Sequence, residues 1–157
     1  MTVSFLEDLA VGQTFASGRL RVDGEGIKRF AAEFDPQPFH LDERAARATL
    51  FRGLAASGWH TAALTMRLLV ESEFRPAGGF IGASMDALRW PRPVRPGDEL
   101  RLEIVILAIQ PSKSKPGQGM VKMRVTTLNQ ADKAVQEYVA NIVVLARRRE
   151  EPARRCT

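Results

Sequence analysis

The chain has 157 residues, 45% of them hydrophobic and 26% charged, with a formal net charge of +5 and an isoelectric point near 10.0. This length suits one compact domain whose core needs no covalent staples, and the composition excludes fibrous and wholly disordered classes. A lone cysteine, Cys156, excludes an internal disulfide and a cysteine-built zinc cluster. In chain order, the first residues include Glu7 and Asp8 and show neither a basic lead nor an unbroken apolar run, so no signal peptide is expected and the setting reads as cytoplasmic. Residues 13–22 have strand character and end in the Asp23-Gly24 turn. Ile27, Phe30, Ala31 and Phe34 then recur at helical spacing, which predicts a helix over 25–34.

Pro36 and Pro38 disfavour helical backbone at Asp35 and Gln37, so 35–40 reads as an extended or turning loop. Asp42 is the natural N-cap of a short alanine-rich helix over 43–48, followed by a bend at Phe51-Arg52-Gly53. The strongest helical pattern comes next: after Ser57-Gly58, the residues Trp59, Ala62, Ala63, Met66, Leu69 and Val70 form an apolar stripe. Met66 and Met85 read as core fillers. Beyond Pro76-Ala77-Gly78-Gly79 the texture becomes four strands, over 80–90, 99–110, 120–129 and 135–146. Pro93 and Pro96-Gly97-Asp98, the polar 111–119 loop and a hairpin turn over 129–133 separate them. The resulting plan is α+β, an antiparallel sheet curled about one apolar helix.

The longest apolar run, Ile104–Ile109, is too short to span a bilayer. Five arginines, Arg147, Arg148, Arg149, Arg154 and Arg155, crowd the last residues beside Glu150 and Glu151. They read as a solvated, disordered tail over 148–157 that follows a domain of 1–147, and the remaining body lacks a basic, aromatic-interleaved face for nucleic acid.

Only two histidines are available for acid–base work, His40 and His60. His40 follows Asp35 by five residues in a proline-stiffened loop, where a turn can bring carboxylate and imidazole to one water. The plainer readings are a helix-ending aspartate and a solvated loop histidine. His60, beside Trp59 on the apolar helix, reads as a packing residue, and Asp42 as a cap.

The run from Phe30 to Asp42, with Asp35-Pro36-Gln37-Pro38-Phe39-His40-Leu41-Asp42 at its end, resembles the Asp-x-Asn-Pro-x-His-x-Asp motif of the MaoC-like dehydratase and (R)-specific enoyl-CoA hydratase family. Ala56-Ser57-Gly58-Trp59 falls where that family has Ala-His-Gly-Met, and Pro93-Val94-Arg95-Pro96-Gly97-Asp98 is similar to its Pro-Val-x-Pro-Gly-Asp turn. The resemblance implies a hot-dog fold and addition of water to an enoyl-CoA thioester. In this reading Asp35 and His40 hold the water between them, His40 taking its proton and Asp35 protonating the α-carbon, with the division of roles open to exchange. The Gly58 N–H would meet the thioester oxygen at the start of the helix, a place favourable to an anion, although a glycine there can be merely a helix-start residue. Gln37, Ser57 and Trp59, which replace the family's Asn, His and Met, are read as substrate-site positions that bear on substrate identity.

No metal or resident cofactor is implied, since the coenzyme A arrives with the substrate. Acyl-carrier-protein thioesters, acyl-CoA hydrolysis and non-catalytic acyl-thioester binding remain open alternatives. A homodimer is expected from the sheet edge that this architecture leaves to be paired.

Overall fold

The structure, a computed structural model, describes residues 2–147. The expected tail over 148–157 lies outside the described residues. A short 3-10 turn, Leu6–Asp8, leads into two brief strands, β1 (Thr14–Ala16) and β2 (Leu20–Arg21), where the sequence predicts one. The break falls at Ser17, whose hydroxyl accepts the Leu102 N–H at 2.8 Å and stands in for a main-chain carbonyl of the ladder.

Asp23 caps α1 (Gly24–Phe34) by accepting the Glu25 N–H at 3.2 Å, and Ile27 and Ala31 on its inner face are fully buried. The helix stops at Asp35, with φ −152° and ψ 67°, as the following proline requires. The loop expected over 35–40 is extended only in its first half. Pro38 opens a one-turn helix, α2 (Pro38–Leu41), because proline suits a first helical position whose N–H has no intrahelical partner. In α3 (Glu43–Arg47) the Asp42 carboxylate accepts the Ala45 N–H at 2.7 Å, the cap role expected of it.

The long helix α4 (Gly58–Val70) lies against an antiparallel sheet built from β3 (Ile81–Arg89), β4 (Glu99–Pro111), β5 (Gln118–Leu128) and β6 (Ala134–Leu145). The sheet order is β1-β4-β5-β6-β3, with β2 also on β4, so β3 is an edge strand. Alternate residues supply the core: Leu100, Leu102, Ile104 and Ile106 from β4, Val121, Met123 and Val125 from β5, and Tyr138, Ala140, Ile142 and Val144 from β6. Burial pushes the Tyr138 phenol up to about 12. The 129–133 turn forms as expected, with the Asn129 N–H donating to the Lys133 carbonyl at 2.9 Å. The 111–119 loop is shorter than expected, because Pro111 pairs with Gly119 and continues the β4–β5 ladder.

The packed face of α4 differs from the apolar stripe. Leu69 is buried, but Trp59, Met66 and Val70 are 60%, 42% and 53% exposed, and Met85 on β3 is exposed as well. Buried instead are His60, Thr61, Thr65, Leu68 and Leu69. The threonines are accommodated because their hydroxyls find partners inside. Thr65 Oγ1 lies 2.7 Å from Thr127 Oγ1 and accepts the Gln136 amide at 3.0 Å, while Gln136 Oε1 accepts the Trp90 indole N–H at 2.8 Å. This buried chain fixes both the rotation of α4 on the sheet and the position of Trp90.

His60 is buried and stacked on Phe30, with ring centroids 4.8 Å apart, and its Nδ1 has no hydrogen-bond partner. Burial, helped by the nearby Arg29 charge, holds its pKa below the ordinary 6.5. Below that ordinary value the unfolded chain takes up a proton that the folded chain refuses, so stability is lost as pH falls and is intact above it. Thermal melts of wild type and His60→Leu from about pH 8 to pH 5 check this: the melting temperature of the wild type should fall more steeply with acidification, and parallel curves would refute it.

Candidate active site

Asp35, at the end of α1, is held by three segments. Gln37 Nε2 donates to Asp35 Oδ1 at 2.6 Å, the Ser57 hydroxyl donates to Oδ2 at 2.7 Å, and His40 Nε2 lies 3.3 Å from the same Oδ2. His40 rides on α2 and is 4% exposed. Its ring is walled by Phe39, edge-on at 4.5 Å, and by Phe51 at 5.9 Å.

The other ring nitrogen sets the chemistry of this pair. His40 Nδ1 lies 2.7 Å from the Ala55 carbonyl oxygen. A carbonyl only accepts, so Nδ1 carries the hydrogen, and in the neutral ring Nε2 presents a lone pair to Asp35. Burial pushes the Asp35 carboxyl up, but the donors from Ser57 and Gln37 outweigh it, with a smaller contribution from His40 when that ring carries a proton, and the pKa falls below its ordinary value. The site therefore presents an ionised carboxylate beside the one imidazole nitrogen that is left to exchange a proton.

The sequence predicts Asp35 and His40 together, and the structure brings them together. It differs in placing them in direct contact, so a water serving both sits against the pair, not between them. Gln37 and Ser57 also converge on this point, both through Asp35. The Ser57 hydroxyl is committed to that carboxylate and, as N-cap of α4, also accepts the Trp59 N–H at 3.3 Å. Trp59 does not reach the pair: its ring is exposed and lies edge-on to Trp90 at 5.4 Å.

Beside the pair lies a cleft of about 200 Å³ lined by Phe51, Ala56, Gly58, Thr61, Trp90 and Val94, among others. Asp35 and His40 do not line it, but Phe51, which packs near the His40 ring, does, as do the two neighbours of Ser57. Gly58 supplies the first N–H of α4, a group without an intrahelical partner. A Cβ added there would fall 2.7 Å from the Trp90 ring, so only glycine lets the indole close over the helix start. Sequence reasoning missed Trp90, whose signal is an aromatic ending a strand before Pro91, and the Ala55 carbonyl, which has no side-chain signal at all. Among the described residues no three His, Cys, Asp or Glu side chains cluster as a metal would require.

Comparison with known proteins adds an independent line. The family model described as a MaoC like domain matches residues 8–129. The uncharacterized protein YdeM of Bacillus subtilis is 34% identical over 143 residues, covering 91% of this chain and 99% of that protein. An (R)-specific enoyl-CoA hydratase of Rhodospirillum rubrum is 29% identical over 153 residues, covering 94% of this chain and 96% of the hydratase. Among solved structures, a MaoC-like dehydratase from Rhodospirillum rubrum has a TM-score of 0.89 at 59% identity, covering 93% of this chain and 99% of that one. The R-hydratase PhaJ1 of Pseudomonas aeruginosa has 0.73 at 28%, covering 98% and 96%. A Mycobacterium tuberculosis protein with a double hot-dog fold has 0.78 at 18%, covering 96% of this chain and 47% of that one, a likeness of fold alone.

One arginine organises the segment that carries Ala55. Arg95 Nη1 donates to the Gly53 carbonyl at 2.8 Å and the Leu54 carbonyl at 3.2 Å, and Nη2 donates to the Phe51 carbonyl. Lysine cannot reproduce that fork. Arg95→Ala leaves these acceptors without their donor and should lower stability by about 2–3 kcal/mol in urea unfolding, with Arg95→Lys intermediate. An unchanged midpoint in both variants would remove Arg95 from this role.

Proposed function

The chain belongs to the family of MaoC-like domains, and from that premise we propose that it is a hydratase, or in reverse a dehydratase, of enoyl-CoA thioesters, with Asp35 and His40 as its acid–base pair. Its curled sheet and enclosed helix are the hot-dog fold expected from the sequence. The observation that carries the proposal is the 3.3 Å contact between His40 Nε2, whose companion Nδ1 is engaged by the Ala55 carbonyl, and a carboxylate that its donors keep ionised. That is the equipment needed to take a proton from water and give it to carbon.

In this reading the water oxygen bonds to the β-carbon while His40 Nε2 takes one of its protons. The π electrons move to the α-carbon and the thioester oxygen, where the Gly58 N–H at the amino end of α4 stabilises the negative charge. The proton crosses from Nε2 to Asp35 Oδ2, and Asp35 passes it to the α-carbon, which restores the starting pair. Hydrogen and hydroxyl are added in sum, with no oxidant or reductant. The coenzyme A is part of the substrate, and the reaction uses no metal or resident cofactor. We assign this activity to one domain over 1–147, acting in the cytoplasm.

Loss of the enoyl-thioester absorbance of crotonyl-CoA and related unsaturated acyl-CoAs is the direct assay. Asp35→Asn and His40→Gln should each lower turnover by at least about a hundredfold. Undiminished turnover in both variants would end this assignment, and release of free thiol would identify a hydrolase instead.

We further propose a homodimer. β3 is an edge strand whose residues are almost all exposed; its Met85 lines one surface cavity together with Met66 of α4, and Ile81 and Val70 are further large apolar side chains of these two elements left in water in the single chain. A second copy would cover them. Val70→Glu should shift the mass measured by light scattering from dimer to monomer, whereas a wild type that is monomeric at about 50 μM would contradict the assignment.

A further inference from the structure

We propose that Ser57 is a positioning residue for the acid–base pair: its hydroxyl locks the Asp35 carboxylate so that Oδ2 faces His40 Nε2, and ties that orientation to the amino end of α4. This role rests on the hydratase reading above and concerns a residue that touches neither the cleft nor, in that reading, the reacting atoms.

The geometry leaves the hydroxyl little choice. Ser57 is fully buried, its single hydroxyl proton points to Asp35 Oδ2 at 2.7 Å, and its oxygen accepts the Trp59 N–H at 3.3 Å. The main chain on either side is pinned, because the Ala56 N–H donates to the Val94 carbonyl at 2.9 Å and the Ser57 carbonyl accepts the Thr61 N–H at 3.0 Å. Ser57 therefore cannot follow the carboxylate if Asp35 turns. Gln37 holds the other oxygen, Oδ1, at 2.6 Å. With a donor on each oxygen the carboxylate plane is fixed, and the remaining capacity of Oδ2 is directed at His40, 3.3 Å away.

Gln37 alone would leave that plane free to rotate about the bond to Oδ1's partner, and charge on Oδ2 would have His40 as its sole neighbour. The histidine usual before the glycine in the resembling motif is here replaced by a residue whose hydroxyl donates and accepts at once. Among the described residues, His40 from α2 is the titratable side chain in ion-pair distance of the Asp35 carboxylate, while Gln37 and, from the cap of α4, Ser57 meet it with neutral donors. Removing the hydroxyl thus acts on two measurable quantities, the acidity of Asp35 and the efficiency of the proton transfer, without removing either member of the pair.

The test uses Ser57→Ala, Ser57→Gly, which keeps most of the capping energy of α4, and Ser57→Thr, which keeps the hydroxyl. Asp35 is followed by carbon NMR of its carboxyl through a pH titration without substrate, and turnover by the enoyl-CoA assay. In Ser57→Ala and Ser57→Gly, Asp35 should titrate about one pH unit higher. In the same two variants kcat should fall about tenfold to a hundredfold with KM nearly unchanged, and the acidic limb of the pH profile should move up. Ser57→Thr should recover both. If the Asp35 titration is unmoved in both Ser57→Ala and Ser57→Gly, Ser57 does not position it and the inference fails. If the titration moves while the wild type turns over no enoyl-CoA, the positioning stands and the hydratase reading fails.

Discussion

A carboxylate withdrawn from water keeps its charge only where donors replace the water it has lost, and the arrangement around Asp35 follows from that requirement. Its side chain is 18% exposed, and both of its oxygens are met, Oδ1 by the Gln37 amide and Oδ2 by the Ser57 hydroxyl. Those donors come from different parts of the chain, so satisfying one charge brings together the end of α1, the Pro36–Pro38 bend and the cap of α4. His40 enters the same cluster under a constraint of its own. The Ala55 carbonyl claims the hydrogen on Nδ1, which leaves Nε2 to deal with the carboxylate.

The supports of this cluster are themselves supported. Arg95 gathers three carbonyls of the segment that precedes Ala55, and its own main-chain N–H donates to Asp98 at 2.8 Å, so the turn that resembles the family's signature is physically a clamp on the site. On the far side, the chain of Thr127, Thr65, Gln136 and Trp90 fixes how α4 is rotated on the sheet and where the indole lies over Gly58. Buried polar chains of this kind contribute more to uniqueness of arrangement than to net stability, because a slipped helix would leave several buried groups without partners. The apolar surface left outside α4 and β3 is a consequence of the same rotation. Once threonines face the sheet, Met66 and Val70 must face away from it.

Much of the architecture was legible in local chemistry. Asp23 and Asp42 cap the helices they precede, the prolines end α1 where they should, and β4, β5 and β6 follow their alternating patterns, because these depend on groups close along the chain. The pairing of Asp35 with His40 was legible for the same reason, being a matter of five residues and two prolines. Errors arose where distant partners decide. The Ser17 hydroxyl interrupts a strand by bonding to Leu102, and α4 turns Thr65 inward because Thr127 and Gln136 await it across the sheet.

By itself, then, the sequence determined an α+β chain with a capped, largely apolar helix, an antiparallel run of strands, and a carboxylate and an imidazole held near each other by a stiff bend. Only the tertiary structure decided which nitrogen of His40 faces Asp35, that Ser57 serves the carboxylate, which face of α4 is buried and where Trp90 closes over Gly58. The reason is physical: capping, proline stereochemistry and periodicity act between neighbours along the chain. A histidine tautomer, a carboxylate's donors and a helix's rotation are set by atoms that come together only when remote segments pack.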